Sequence, residues 1–333
     1  MSTTDAAPPL STPLVVGVDL GGTKMAAALV TADGALAGPL ASAPTPARSG
    51  PEAVLDAIAS VVDTVVSAGT HQAPGAPVAV SAVGVGSAGV VNVSTGTIVS
   101  ATDAITGWTG TSVATGVRSR LIAQGYGDMP VHVENDVDAY AGGEAWLGAG
   151  RDAGSVLVVA VGTGVGGSVV INGTTVRGAH YVAGEIGHVP APGAENEMCT
   201  CGRRGHLEAI AAGPQIHRRY LAAGGDPEVA NAFEVEQRAD AGDPIASLVY
   251  RDSAIALGKV LAGVVAVLDP ERVVLSGGLA RAGELWWAPL RETFRAELID
   301  PLADVPLVRA ELGTNAPIIG AARGALRLLG ATA

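Results

Sequence analysis

The sequence predicts an α/β protein built twice over on one plan, and three observations lead there. A short apolar strand, a glycine-rich turn and a second strand occur at residues 14–34, and the same order returns at 155–173. Along the chain, apolar runs of strand length alternate with longer helical segments. The composition, 48% hydrophobic and 16% charged with only 3% aromatic residues, suits a core of Val, Ala and Leu and excludes a disordered chain. With 333 residues there is room for one large domain or two of ordinary size.

In chain order, residues 14–20, Leu-Val-Val-Gly-Val-Asp-Leu, read as a buried strand. The turn Gly21-Gly22-Thr23-Lys24 follows, then an apolar run from Met25 to Val30 and a hairpin signal at Asp33-Gly34. A helix is expected near 51–68, a Gly-rich strand near 78–86 and a helix over about 111–124. The strand 131–134 leads into a helix at 136–147. Residues 155–161, Ser-Val-Leu-Val-Val-Ala-Val, open the second copy; the turn 162–167, a strand from Ser168 to Ile171 and Asn172-Gly173 complete it. Helices are expected near 207–223, 244–268 and 284–299, with a strand at 272–276 that ends on Gly277-Gly278, and a last helix over about 317–329. Two halves with a cleft between them is the natural arrangement for such a duplication.

A net charge of −12 offers no basic stripe for nucleic acid. It leaves ATP open, since backbone N–H groups and magnesium hold its phosphates. Two cysteines make no disulfide framework, and a Cys-x-Cys pair is poorly placed for a relaxed disulfide, so reduced, cytoplasmic ligands are expected. Residues 1–13 read as a flexible tail with no basic start, and no apolar run reaches membrane-spanning length.

The densest chemistry lies in 185–208. His188, Cys199, Cys201 and His206 have loop spacing that suits a tetrahedral zinc site, and Gly202 and Gly205 permit a tight knuckle. The plain alternative is inert cysteines beside surface histidines. Glu185 and Glu208 bracket the loop, where two carboxylates could hold a polar ligand. Asp19-Leu-Gly-Gly-Thr-Lys reads as a phosphate-facing turn, with Asp19 placed to hold Mg²⁺ through water, or as a bare hairpin. Gly162 to Gly167 matches the dinucleotide fingerprint formally, but a strand rather than a helix is expected next, which rejects that reading. Asp136 sits at the end of a strand, either as a helix N-cap or as a base for a hydroxyl proton. Ser253 shows no nucleophile signature, and His71, His180 and His217 have no visible partner.

Taken together, Asp-Leu-Gly-Gly-Thr-Lys at 19–24, Glu-Asn-Asp at 134–136, the turn 162–167, Glu-Ile-Gly-His at 185–188, the knuckle 199–205 and Ser-Gly-Gly at 276–278 resemble the ROK family of sugar kinases and repressors. The resemblance implies the actin/hexokinase-type, ribonuclease H-like duplicated fold. It divides the chain into a small domain, 14–134 with 317–331, and a large one, 135–316, which carries the zinc loop 185–208. It implies Asp136 as general base for a sugar 6-hydroxyl, with Asn135, Glu185, His188 and Glu208 holding sugar hydroxyls. Gly21, Gly22, Thr23, Lys24, Thr163 and Gly164 would cradle the phosphates of Mg–ATP, and Gly277 and Gly278 would lie by the adenosine. A structural zinc on His188 and the knuckle, and a homodimer, are implied as well.

Three departures stand out. His206 occupies the place of the family's usual third zinc cysteine. Asp138 adds a charge beside Asp136. Thr102–Trp108 replaces the Pro-Asn-Leu-Pro-Gly-Trp of many glucokinases in the family, which points toward N-acetylhexosamine kinases and toward Gly96 and Thr109 as sugar contacts. N-acetylmannosamine, N-acetylglucosamine and glucose all stay open as the acceptor. The rival of another class is a ROK-type sugar sensor or repressor without catalysis. Only residues 1–18 precede Asp19, which leaves no expected room for a DNA-binding domain.

Overall fold

The computed structural model describes residues 13–72 and 79–330, with side chains in the first helix given up to residue 69. All of the expected tail except Pro13, and the side chain of His71, therefore lie outside the described residues. The fold divides into two units: residues up to Tyr140 with those from Pro317 onward, and Ala141–Ala316.

The first unit comprises β1 (Leu14–Leu20), β2 (Lys24–Val30), β3 (Ala41–Pro44), α1 (Pro51–Gln72), β4 (Val80–Ser87), the small hairpin β5 (Val90–Asn92) and β6 (Thr97–Ser100), α2 (Val113–Ala123), and β7 (Val131–Asn135). The next helix, α3 (Asp136–Leu147), begins in this unit, and the division falls inside it, after Tyr140. Asn135 and Asp136 thus belong to the first unit. The sheet order is β3-β2-β1-β4-β7, with β1–β4 and β4–β7 parallel and the first two pairs antiparallel.

The second unit follows with β8 (Ser155–Val161), β9 (Val165–Ile171), β10 (Thr174–Thr175), α4 (Glu208–Ala211), α5 (Gly213–Ala222), α6 (Ala232–Asp240), α7 (Pro244–Leu268), β11 (Arg272–Ser276), α8 (Glu284–Glu297) and β12 (Leu307–Arg309). Its sheet order, β10-β9-β8-β11-β12, repeats the first in the same sequence of antiparallel and parallel pairs. The duplication read from two glycine turns extends to whole sheets.

Strands β1 and β4 are buried almost throughout because both faces are covered. Val16, Val18, Leu20, Val83 and Val85 share one core with Val54, Ile58 and Val62 of α1. The opposite face carries the register pair Gly17 and Gly84, which meets the last helix, α9 (Ala316–Leu328), backbone to backbone. A Cβ on Gly17 would stand 2.0 Å from the carbonyl oxygen of Ile318, and one on Gly84 1.8 Å from that of Ala321. In the second unit, α7 and α8 contribute Leu257, Leu261, Trp286 and Phe294 to a separate core; Trp286 Nε1 donates to Ser253 Oγ, which gives that serine a structural role.

Two expectations need correction. The helix expected over 207–223 breaks at Ala212, whose backbone is extended (φ −71°, ψ 146°), into α4 and α5. Pro214 in the first turn of α5 has no N–H to carry a ladder across the break, and the Gly213 N–H donates to the carbonyl of Gly162. Helix α6 lies where the sequence pattern predicts no element; the side chain of Asn231 caps it by accepting from the N–H groups of Phe233 and Glu234.

Candidate active site

Parallel pairing in the first unit lines up Leu20, Ser87 and Asn135 at the carboxyl ends of β1, β4 and β7. Asp19 and Asp136 therefore approach one another at this edge. Gly86, between them in the register, makes room: a Cβ there would meet Ala139 Cβ at 2.9 Å and Asp136 Cα at 3.7 Å. Asn135 Oδ1 accepts from the N–H groups of Val137 and Asp138, at 2.9 and 3.2 Å, and so caps α3, while its Nδ2 donates to the carbonyl of Gly89. The cap is Asn135, and Asp136 keeps a carboxylate whose recorded hydrogen bond is the local one from the Val137 N–H. Burial pushes the Asp136 carboxyl up to about 6; the Val137 N–H opposes this, and the charges of Asp19 and Asp138 add to it. Burial also raises Asp19 to about 6, against the pull of Lys24.

The segment that departs from the glucokinase pattern is ordered by local bonds. Trp108 is buried, with Nε1 donating to Ser87 Oγ at 3.1 Å. Thr109 Oγ1 accepts from the N–H of Ala101. Gly96 has φ 64° and packs on Ala114, where a Cβ would come within 2.3 Å. Both residues thus hold their own loop.

In the second unit, Gly162 to Gly167 joins β8 to β9 as an antiparallel hairpin, and no helix follows the turn. Its glycines serve close approach: a Cβ on Gly164 would stand 2.8 Å from Glu208 Oε2, and one on Gly167 2.8 Å from the carbonyl of Gly184. Gly277 takes φ 87° beside Val161. Gly162, Thr163 and Gly278 line a cavity of about 680 Å³ with Pro214, Phe233 and Arg281. His217 also lines it, and its Nε2 lies 2.7 Å from the Val229 carbonyl. Asn231 and Phe233 reach this wall through α6, which the sequence pattern does not show.

The knuckle brings His188, Cys199, Cys201 and His206 together, with ligand atoms all within 4.8 Å of one another. Cys199 Sγ lies 3.6 Å from His188 Nδ1, and Cys201 Sγ 3.3 Å from His206 Nδ1. Zinc bonds of about 2.3 Å to sulfur and 2.0 Å to nitrogen require S···N edges of about 3.6 Å in a tetrahedron. The donor set and spacing are therefore compatible with zinc. Gly202 and Gly205 take φ 82° and 89°, the left-handed backbone a tight knuckle needs. Both cysteines are free. Glu185 Oε2 lies 3.8 Å from His188 Nε2. Glu208, buried at the start of α4, accepts from the Val165 N–H through Oε2 at 3.1 Å and from the Thr200 hydroxyl through Oε1. The link through Thr200 is not legible in the sequence, where nothing but its place between two cysteines marks it.

Two units that each carry the same mixed five-stranded sheet, with glycine hairpins at the strand ends, define the actin/hexokinase type of fold. A family model described as the ROK family matches residues 15–327, and the chain belongs to that family. A glucokinase of Streptomyces coelicolor is 33% identical over 330 residues, covering 93% of this chain and 96% of the relative. An N-acetylmannosamine kinase of Escherichia fergusonii is 32% identical over 308 residues, covering 92% and 96%. Among solved structures, a ROK family glucokinase from Streptomyces griseus in complex with glucose and AMPPNP has a TM-score of 0.74 at 31% identity, covering 93% of this chain and 98% of that one.

Proposed function

We propose that this ROK-family enzyme, an ATP-dependent sugar kinase, transfers the γ-phosphoryl group of Mg–ATP to the 6-hydroxyl of a hexose or N-acetylhexosamine, with Asp136 as general base. The observation that carries the reading is the division of labour at the start of α3: Asn135 caps the helix, which frees the Asp136 carboxylate at the sheet edge beside Asp19. Asp136 accepts the hydroxyl proton as the sugar oxygen attacks phosphorus and the bond to ADP breaks. A carboxyl poised at about 6 is ionised near neutrality yet a stronger base than an ordinary aspartate.

The first unit supplies Asp136, Asn135 and the turn Gly21–Lys24, whose backbone suits phosphate oxygens, with Asp19 placed toward the magnesium. Gly96 and Thr109 shape the loop on the sugar side. The second unit supplies Thr163 and Gly164 for phosphate, Gly277 and Gly278 beside an adenosine cavity, and Glu185, His188 and Glu208 for sugar hydroxyls. A zinc ion, held by His188, Cys199, Cys201 and His206, would supply rigidity to the loop rather than Lewis acidity to the substrate. The free thiols support a reducing, cytoplasmic setting. Exposed Ile171, Val182, Val189 and Val267 along an apolar groove of the second unit support a homodimer, which sedimentation checks.

The sugars named by the relatives differ from one another, and the Thr102–Trp108 segment favours an N-acetylhexosamine. ADP release with Mg–ATP and a panel of glucose, N-acetylglucosamine and N-acetylmannosamine tests the reading, with Asp136→Asn as control. Turnover on one sugar, lost in the variant, is expected. Sugar binding without turnover across the panel would favour a sensor instead.

A further inference from the structure

We infer that Thr200, the residue between the two knuckle cysteines, is a positioning residue for sugar recognition, acting through Glu208. The inference rests on the reading of Glu208 as a sugar ligand. Glu208 has little exposure, 9%, so its carboxylate depends on protein donors for the hydrogen bonds that water would otherwise give. Two are present, one per oxygen. The Val165 N–H, from the first residue of β9, holds Oε2 at 3.1 Å. The Thr200 hydroxyl holds Oε1, and Cys199 Sγ stands 3.9 Å from the same oxygen.

A carboxylate has about four acceptor positions over its two oxygens. Two are filled by these donors, and the geometry of those bonds fixes the plane and rotation of the group. The remaining lone pairs are then directed without further ordering, which is what recognition of a sugar hydroxyl requires. Remove the Thr200 hydroxyl, and Glu208 is held at one oxygen only. It gains rotation about its last torsion, and a buried acceptor loses its donor. The knuckle thereby acts on the sugar by way of a hydroxyl that is not a metal ligand. Gly164 completes the arrangement, since any side chain there would occupy the space that Oε2 fills.

The test compares Thr200→Val, which keeps shape and removes the donor, with Thr200→Ser, which keeps the donor, and with Glu208→Gln. The readouts are KM and kcat for the sugar turned over best, the sugar dissociation constant by calorimetry without nucleotide, and zinc per chain. Thr200→Val is expected to weaken sugar binding and raise KM about tenfold, as loss of a hydrogen bond to a charged group does. Its kcat and zinc content should stay near those of the parent, and Thr200→Ser should restore affinity. Unchanged affinity in Thr200→Val with weakened binding in Glu208→Gln overturns the role of Thr200 and leaves the site reading intact. Unchanged affinity in Glu208→Gln overturns both. Equal losses in the Val and Ser variants, or loss of zinc in Thr200→Val, would make the residue a support of the metal loop and refute the inference.

Discussion

Replacing Asp136 by Asn should abolish turnover and, at the same time, stabilise the first unit above pH 6. The carboxyl is raised from 3.8 to about 6, mainly by burial and then by Asp19 and Asp138. Holding it ionised therefore costs the fold about 3 kcal/mol relative to the unfolded chain. The sign follows from the direction: the folded state binds this proton more tightly, so the group's contribution is fully present below pH 3.8 and is lost as pH rises through about 6. An asparagine carries no charge at any pH and keeps the bond from the Val137 N–H, but it must still be desolvated. A gain of about 1–3 kcal/mol at pH 8 is expected, or several degrees in the melting transition. The advantage should shrink toward pH 5 and vanish near pH 4. The assay is thermal and denaturant unfolding of the nucleotide-free protein at several pH values, with ADP release measured in parallel. Loss of a positioned base should slow turnover about 10²- to 10⁴-fold. A variant that melts at or below the parent at pH 8, or whose gain is the same at pH 5 and pH 8, would refute the reasoning.

Other predictions follow from the same geometry. The kcat/KM profile should fall on its acid side below about pH 6, where Asp136 takes up its proton, and Asp138→Asn should move that limb to lower pH by removing a charge that raises Asp136. Metal analysis should find about one zinc per chain; its removal by chelation should lower the melting temperature, and His206→Ala should bind zinc less tightly than the parent. Gly84→Ala should destabilise the first unit by about 3 kcal/mol or more, since its Cβ would stand 1.8 Å from the Ala321 carbonyl oxygen and α9 would have to retreat; chemical denaturation measures this.

Long buried patterns were readable in the sequence because burial on both faces leaves an unbroken apolar run. This gave β8, β11 and the Asp136–Leu147 and Pro244–Leu268 helices their limits. Helix α6 escaped because its buried face amounts to Val235 and Ala239, too little to set a period. The three- and four-residue strands β3, β5, β6 and β12 are too short to alternate visibly. At the site, residue types were legible and their bonds were not. Asn135 and Asp136 both make good caps, and only the fold shows which one does so. Thr200 and Glu208 are eight residues apart across a knuckle whose path depends on two left-handed glycines, so their contact has no periodic signature.

The close seating of α9 on Gly17 and Gly84 also bears on the order in which the protein is made. The second unit is one continuous stretch, Ala141–Ala316, and all its strands have left the ribosome before α9 is complete. The first unit begins earlier and finishes later: its sheet is synthesised first, yet the glycine face waits for residues beyond Pro317. Domains tend to fold as units as they emerge, so the knuckle-bearing half can close while the half with Asp136 still exposes a bare strip of sheet. The last helix is thus the cover that ends this exposure, and release of the finished chain becomes a step in its folding.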